Sequence, residues 1–329
     1  MTPRTPPRPV GIPQPPLPHR RPTAVGIGCS AHLGRLARAR FPGDRNIHPP
    51  PLPLPISKAI PTPSDNVVEP PAVSLVGSAA EPFHGDLEPS LPPPEVGSSL
   101  EIVLPEGVVI ALVGVSAGSF FMGSPEGEVG RFPDESMRRV TLTEPFWLAR
   151  TPTTVKQWCG ILREPIRANR DGRLPIRNIS WADCHDFIKR LVAPHGWRWD
   201  LPTEAQWEYA CRAGTEGPYA GDLDDLGWYR GNSLDKPHPV GEKAANAWGL
   251  FDMHGNVYEW CRDWLGQYRA TQSRDPKGPS KWSERACRGG SYMNCALRCR
   301  SAFRNGGAPG LRARYIGMRL ALVLSGAAA

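Results

Sequence analysis

The chain has 329 residues, among them 39 prolines, 11 tryptophans and 8 cysteines, and a formal net charge of +7. Twenty-four of the prolines lie in residues 1–100 and every tryptophan lies between Trp147 and Trp282, which excludes two equal domains and points to one folded domain behind a leader. Residues 1–60 carry nine Lys/Arg against one acid, so the remainder stands at −1, and a domain that grips nucleic acid by bulk positive charge is excluded.

Residues 1–99 are proline-dense, with polyproline II character and no helical or strand period, and are expected to be disordered. No apolar core of a signal peptide follows Met1, and no run approaches the roughly 18 apolar residues of a membrane span. The expectation is a cytoplasmic protein with reduced cysteines, since there is no CxxC and no zinc-ligand spacing.

The folded domain is expected over 100–325. Residues 101–115 read as one or two strands broken at Pro105-Glu106-Gly107. Short apolar runs at 119–123, 139–143 and 146–149 read as further strands. Thr154 opens a helix to Leu162 with Val155, Trp158, Cys159 and Leu162 on one face. Ser180 and Asp183 open a second helix in capping style, and Cys184, Phe187, Ile188 and Leu191 recur at helical spacing. Thr203-Glu-Ala-Gln206 is a capping box for a third, and Gly214 stands where a C-cap glycine belongs. Beyond it the chain reads as long loops pinned by aromatics, closed by a strand at 316–323. The class is α+β with much irregular backbone.

Several blocks resemble one family. They are Gly118-Ser-Phe-Phe-Met-Gly-Ser124, the run from Trp147 to Trp158, and Leu201-Pro-Thr-Glu-Ala-Gln-Trp-Glu-Tyr-Ala. After these come Asn246-Ala-Trp-Gly-Leu-Phe-Asp-Met-His-Gly-Asn-Val-Tyr-Glu-Trp260, Arg288-Gly-Gly-Ser291, Arg300-Ser-Ala-Phe-Arg304 and Ile316-Gly-Met-Arg319. In this order they resemble the formylglycine-generating enzyme, or sulfatase-modifying factor, family. The resemblance implies an elaborated C-type-lectin-like fold with a small twisted antiparallel sheet, two main helices and long loops. Fold alone does not settle function, because the family holds both oxidases and binding proteins.

The resemblance also implies sites. Asp252 and Glu259 through carboxylates, with Gly255 and Val257 through carbonyls, match a structural calcium loop, and hard oxygen donors suit Ca2+. Ser291, Cys295 and Cys299 match the catalytic segment, where two thiolates hold Cu(I) and O2 oxidises a cysteine of a sulfatase-type protein substrate. Here Asn294 stands at the first cysteine position and Cys295 falls one residue late. The alternative is a non-catalytic, calcium-braced domain for a protein or peptide ligand, similar to retroelement-diversified variable proteins. Its face would be Tyr292, Asn294, Arg298, Phe303, Asn305, Arg312, Arg314 and Tyr315. His185, His195, His238 and His254 form no iron-binding cluster, and no Gly-x-Ser-x-Gly elbow is present.

Overall fold

The computed structural model describes residues 74–76, 91–168, 170–268 and 273–326. Most of the leader expected to lack structure therefore lies outside the described residues. One piece inside it is a strand: β1 (Ser74–Val76) pairs antiparallel with β2 (Ser99–Val103), so the sheet starts ahead of residue 100.

The strand pair expected over 101–115 is β2 and β3 (Val109–Val115), joined by a turn in which Gly107 adopts φ 71°. Next come β4 (Gly118–Met122), β5 (Arg138–Leu142) and β6 (Phe146–Ala149). Helix α1 (Val155–Leu162) is capped by Thr154, α2 (Trp181–Ile188) by Ser180, and α3 (Glu204–Arg212) by Thr203. All three are reciprocal capping boxes, closed by Gln157, Asp183 and Gln206 respectively. Strand β7 (Trp197–Asp200) lies between α2 and α3, and the one-turn helix α4 (Leu223–Leu226) follows α3. The C-terminal part supplies β8 (Tyr258–Trp264), β9 (Arg285–Arg288), β10 (Asn305–Gly307), β11 (Ile316–Gly317) and β12 (Ala321–Leu324).

The strands form three sheets: β1-β2-β3-β6-β12-β7, β10-β9-β8-β11, and β4-β5. Among the described residues, the pairings between these strands are antiparallel except β11 with β8. Alternation along the six-stranded sheet sorts its side chains to two faces. Leu112, Trp147 and Leu322 join the core under α1 and α2, where Trp158 stacks on Phe187 at 4.5 Å. Val113, Phe146, Leu148 and Ala321 join the core under α3 with Trp207 and Ala210. The sheet is thus covered on both sides.

Three expectations change. The stretch after Gly214 holds β8, β9 and β10 rather than loops alone. The strand expected at 316–323 is two strands in different sheets, and the break between them turns Arg319 into the interior. Ala213, not Gly214, is the first left-handed residue after α3, with φ 45°; Gly214 follows at φ 89°. Among the described residues no helix is long and apolar enough to cross a membrane.

Candidate functional site

The site is built on buried arginines. Arg319 donates from Nε and Nη2 to the Glu259 carboxylate at 2.8–3.1 Å, from Nη2 also to the Phe251 carbonyl, and from Nη1 to the Ala149 carbonyl. Arg288 pairs with Glu208 and donates to the carbonyls of Ala302 and Phe303. Glu208 also accepts from Arg212 at 2.8 Å and from the Gly123 N–H. Arg300 ties Glu128 and Glu135 to the carbonyls of Gly130 and Leu297. Arg304 grips Glu204 in a fork at 2.6 and 2.8 Å. Burial works against the charge on Arg288 and Arg304, but Glu208 and Glu204 respectively lead the opposing effects and hold both pKa values above the ordinary arginine range. These pairs peg the chain from Arg288 to Arg319 at four points. Sequence reasoning missed them, although Glu204, Glu208 and Arg212 at i, i+4 and i+8 marked a charged stripe on a helix otherwise read as apolar.

On this frame Cys295 and Cys299 flank one turn, and the Ser291 backbone N–H lies against the Cys299 sulfur. Cys295 precedes a single 3-10 turn, Ala296–Arg298, and Cys299 follows it. The Ser291 hydroxyl donates to the Asn294 side-chain oxygen at 2.6 Å. Cys295 is half-buried, but Cys299 has no exposed surface. Its Sγ lies against Gly290, where a Cβ would come within 2.6 Å, and 3.9 Å from the Cys295 carbonyl oxygen. Burial, then the neighbouring Cys295, push the Cys299 thiol well above its ordinary range, against a hydrogen bond from the Ser291 backbone. A Cu(I) dithiolate needs two thiolates presented to one point. Walled in behind Gly290 with no exposed surface, Cys299 as arranged is not open to an ion shared with Cys295. Behind it stand two residues absent from the expected set: Cys211, whose thiol burial pushes up to about 12, and His254, which burial drives down to about 4. His254 Nδ1 donates to the Cys299 carbonyl at 2.8 Å and Nε2 accepts from the Ala220 N–H, so the ring is neutral and fully bonded.

The loop expected to hold calcium is bonded differently. Both Glu259 oxygens accept from Arg319, and one also accepts the Trp207 indole N–H at 2.7 Å. Asp252 accepts from the Gly241 N–H at 2.7 Å and from the Asn256 amide at 3.2 Å. Gly255 sits at φ 93° and a Cβ there would meet the Trp228 carbonyl oxygen at 2.2 Å, so both require glycine, and Val257 is buried. Arg319 therefore supplies the positive charge that calcium would bring. Asp252, Gly255, Val257 and Glu259 do not fit that ion as arranged.

The expected ligand face divides. Tyr292, Asn294 and Phe303 are buried and form its floor, with Phe303 edge-on to Phe132. Asn305 lies in β10, and its side chain hydrogen-bonds Cys287. Arg312 and Arg314 are exposed, Tyr315 and Arg298 half-buried, and Leu311 is exposed beside them in sequence. Arg312 forks onto Asp183 at 2.6 and 2.7 Å.

The sequence profile of the sulfatase-modifying factor enzyme 1-like domain matches residues 105–324. A formylglycine-generating enzyme of Thermomonospora curvata is 34% identical over 173 residues, covering 45% of this chain and 55% of the relative. A Chlamydia caviae protein named serine/threonine-protein kinase pkn1 is 29% identical over 260 residues, covering 67% of this chain. The chain spans only 39% of that protein and 44% of the formylglycine-generating enzyme of Mus musculus. Among solved structures, PvdO from Pseudomonas aeruginosa superposes with a TM-score of 0.62 at 28% identity, covering 70% of this chain and 99% of that one. Treponema denticola variable protein 1 superposes at 0.58 and 25% identity, covering 65% and 95%. With the profile matched over two-thirds of its length, this chain belongs to the sulfatase-modifying factor enzyme 1-like family and carries its C-type-lectin-like fold.

Proposed function

We propose that the domain is a recognition module for an acidic segment of a protein or peptide, and that it does not oxidise cysteine. One observation carries this reading. The backbone from Arg288 to Arg319 is pegged by buried arginine–carboxylate pairs, while Leu311, Arg312 and Arg314 are exposed and Arg298 and Tyr315 are half-buried, over Phe303 and beside Tyr258 respectively. A rigid frame with exposed, rotamer-rich side chains is how a binding face is presented without ordering cost at the backbone. Three arginines on that face favour an acidic partner. The 25%-identical Treponema denticola variable protein supports the same reading at the level of fold.

One observation favours the oxidase reading: Cys295 and Cys299 flank a single turn with the Ser291 backbone against the Cys299 sulfur. The full burial of the Cys299 thiol behind Gly290 weighs against it.

The test is selection of displayed random peptides on the domain. Selected peptides should be rich in Asp and Glu. They should bind Arg298→Ala/Arg312→Ala/Arg314→Ala at least roughly tenfold more weakly, a loss of about 1.4 kcal/mol. The variant should melt close to wild type, since exposed ion pairs such as Arg312–Asp183 contribute little. Peptides that bind both proteins equally would remove this face from the account.

A further inference from the structure

One concavity of the domain is lined by no residue of 289–319. It has a volume of about 640 Å³, within the usual range of small-ligand sites. Its wall is built from Trp181 at the start of α2, Arg262 and Trp264 on β8, Arg285 on β9, and the loop residue Lys277. We propose that this cavity binds a small oxyanion, a carboxylate or phosphate, between Arg262, Lys277 and Arg285.

The first ground is preorganisation. The Arg285 guanidinium lies between the indoles of Trp181 and Trp264, 3.7 and 3.6 Å from their centroids. Its Nη1 donates to the Arg262 carbonyl oxygen at 2.7 Å. The charge is therefore held in place by π faces and a neutral carbonyl, which stabilise it without cancelling it.

The second ground is charge balance. Arg262 must share Asp200, at 3.5 Å, with Arg198, which pairs with the same carboxylate oxygen. Asp263 is the one acid in the wall of the larger cavity. It is buried, and its carboxylate accepts the Glu204 N–H at the first turn of α3. Burial, reinforced by Glu204, pushes Asp263 up to about 7, so at neutral pH it carries only part of a negative charge against three cations. Lys277 is held below the ordinary lysine range, first by burial and then by Arg262 and Arg198. An anion in the cavity relieves that crowding; a metal cation would worsen it.

The third ground is room. A smaller cavity of about 230 Å³ shares Thr203, Arg262 and Lys277 as its wall. The head group of a ligand can sit against the cations in one cavity while its body extends into the other.

Calorimetric titration of the full chain at low salt with inorganic phosphate, phenyl phosphate and benzoate tests this. At least one should bind saturably and one-to-one. That binding should weaken at least tenfold in Lys277→Glu and in Arg262→Gln. The ratio of phosphate to phenyl phosphate affinity separates a free oxyanion from the head group of a larger ligand. Lys277→Glu sits on a loop, so an unaltered melting midpoint certifies its fold, and Arg262→Gln gives an independent reading. No saturable heat with any of the three anions, or binding that survives Lys277→Glu, would overturn the proposal.

Discussion

Arg319→Met should lose about 3–5 kcal/mol of stability, the usual cost of stripping one partner from a buried ion pair. For a domain of this size that lowers the melting midpoint by roughly 10 °C. Neither Arg319 nor Glu259 has appreciable exposed surface, and both carboxylate oxygens accept from the guanidinium. Methionine fills similar volume but leaves Glu259 with the Trp207 indole as its remaining side-chain donor and frees the carbonyls of Ala149 and Phe251. The double variant Glu259→Gln/Arg319→Met removes the stranded charge and should recover part of the loss. Chemical denaturation of the three proteins measures this. A single variant as stable as wild type would mean that another cation neutralises Glu259 and that the calcium loop must be reconsidered.

Trp207→Ala should be comparably damaging, about 3–5 kcal/mol for a fully buried tryptophan. Trp207 sits at the junction of three parts of the molecule. It belongs to the core between α3 and the six-stranded sheet. Its indole N–H binds Glu259, its ring lies 5.5 Å from the Arg288 guanidinium, and it packs beneath Gly289 at the entrance to the candidate site. Trp207→Phe separates these roles in part: it deletes the donor and keeps most of the packing, at the cost of a smaller cavity than Ala leaves. A loss of about 1–3 kcal/mol is expected for it. If Phe proved as costly as Ala, the hydrogen bond to Glu259 rather than packing would dominate.

What could be read from the sequence was local. Thr154/Gln157, Ser180/Asp183 and Thr203/Gln206 are capping boxes whose partners lie three residues apart, and all three open helices where expected. Strands β2 to β6 carry apolar runs bounded by turn residues, so they too were legible. Strands β8 and β9 were not. They carry Glu259, Arg262, Asp263, Arg285 and Arg288, which look like surface until their partners are known. Those partners come from distant sequence: Arg319 for Glu259, and Glu208 for Arg288. The same holds for the loop at Asp252. Its spacing resembles a set of oxygen ligands, but Gly241, Trp207 and Arg319 occupy those oxygens in the fold. The grouping of Ser291, Cys295 and Cys299 was legible because it is local. The burial of Cys299, Tyr292 and Phe303 was not, because it depends on Gly290 doubling back and on Phe132 arriving from another loop.

The most direct test of recognition against oxidation is Cu(I) binding, measured by competition with a chelator for the wild-type chain, Cys295→Ser and Cys299→Ser. The account predicts no tight one-to-one complex, and weak binding that is the same in all three proteins. Tight stoichiometric binding abolished by both substitutions would contradict it, show that Cys299 can leave its buried thiol position, and return the domain to the oxidases.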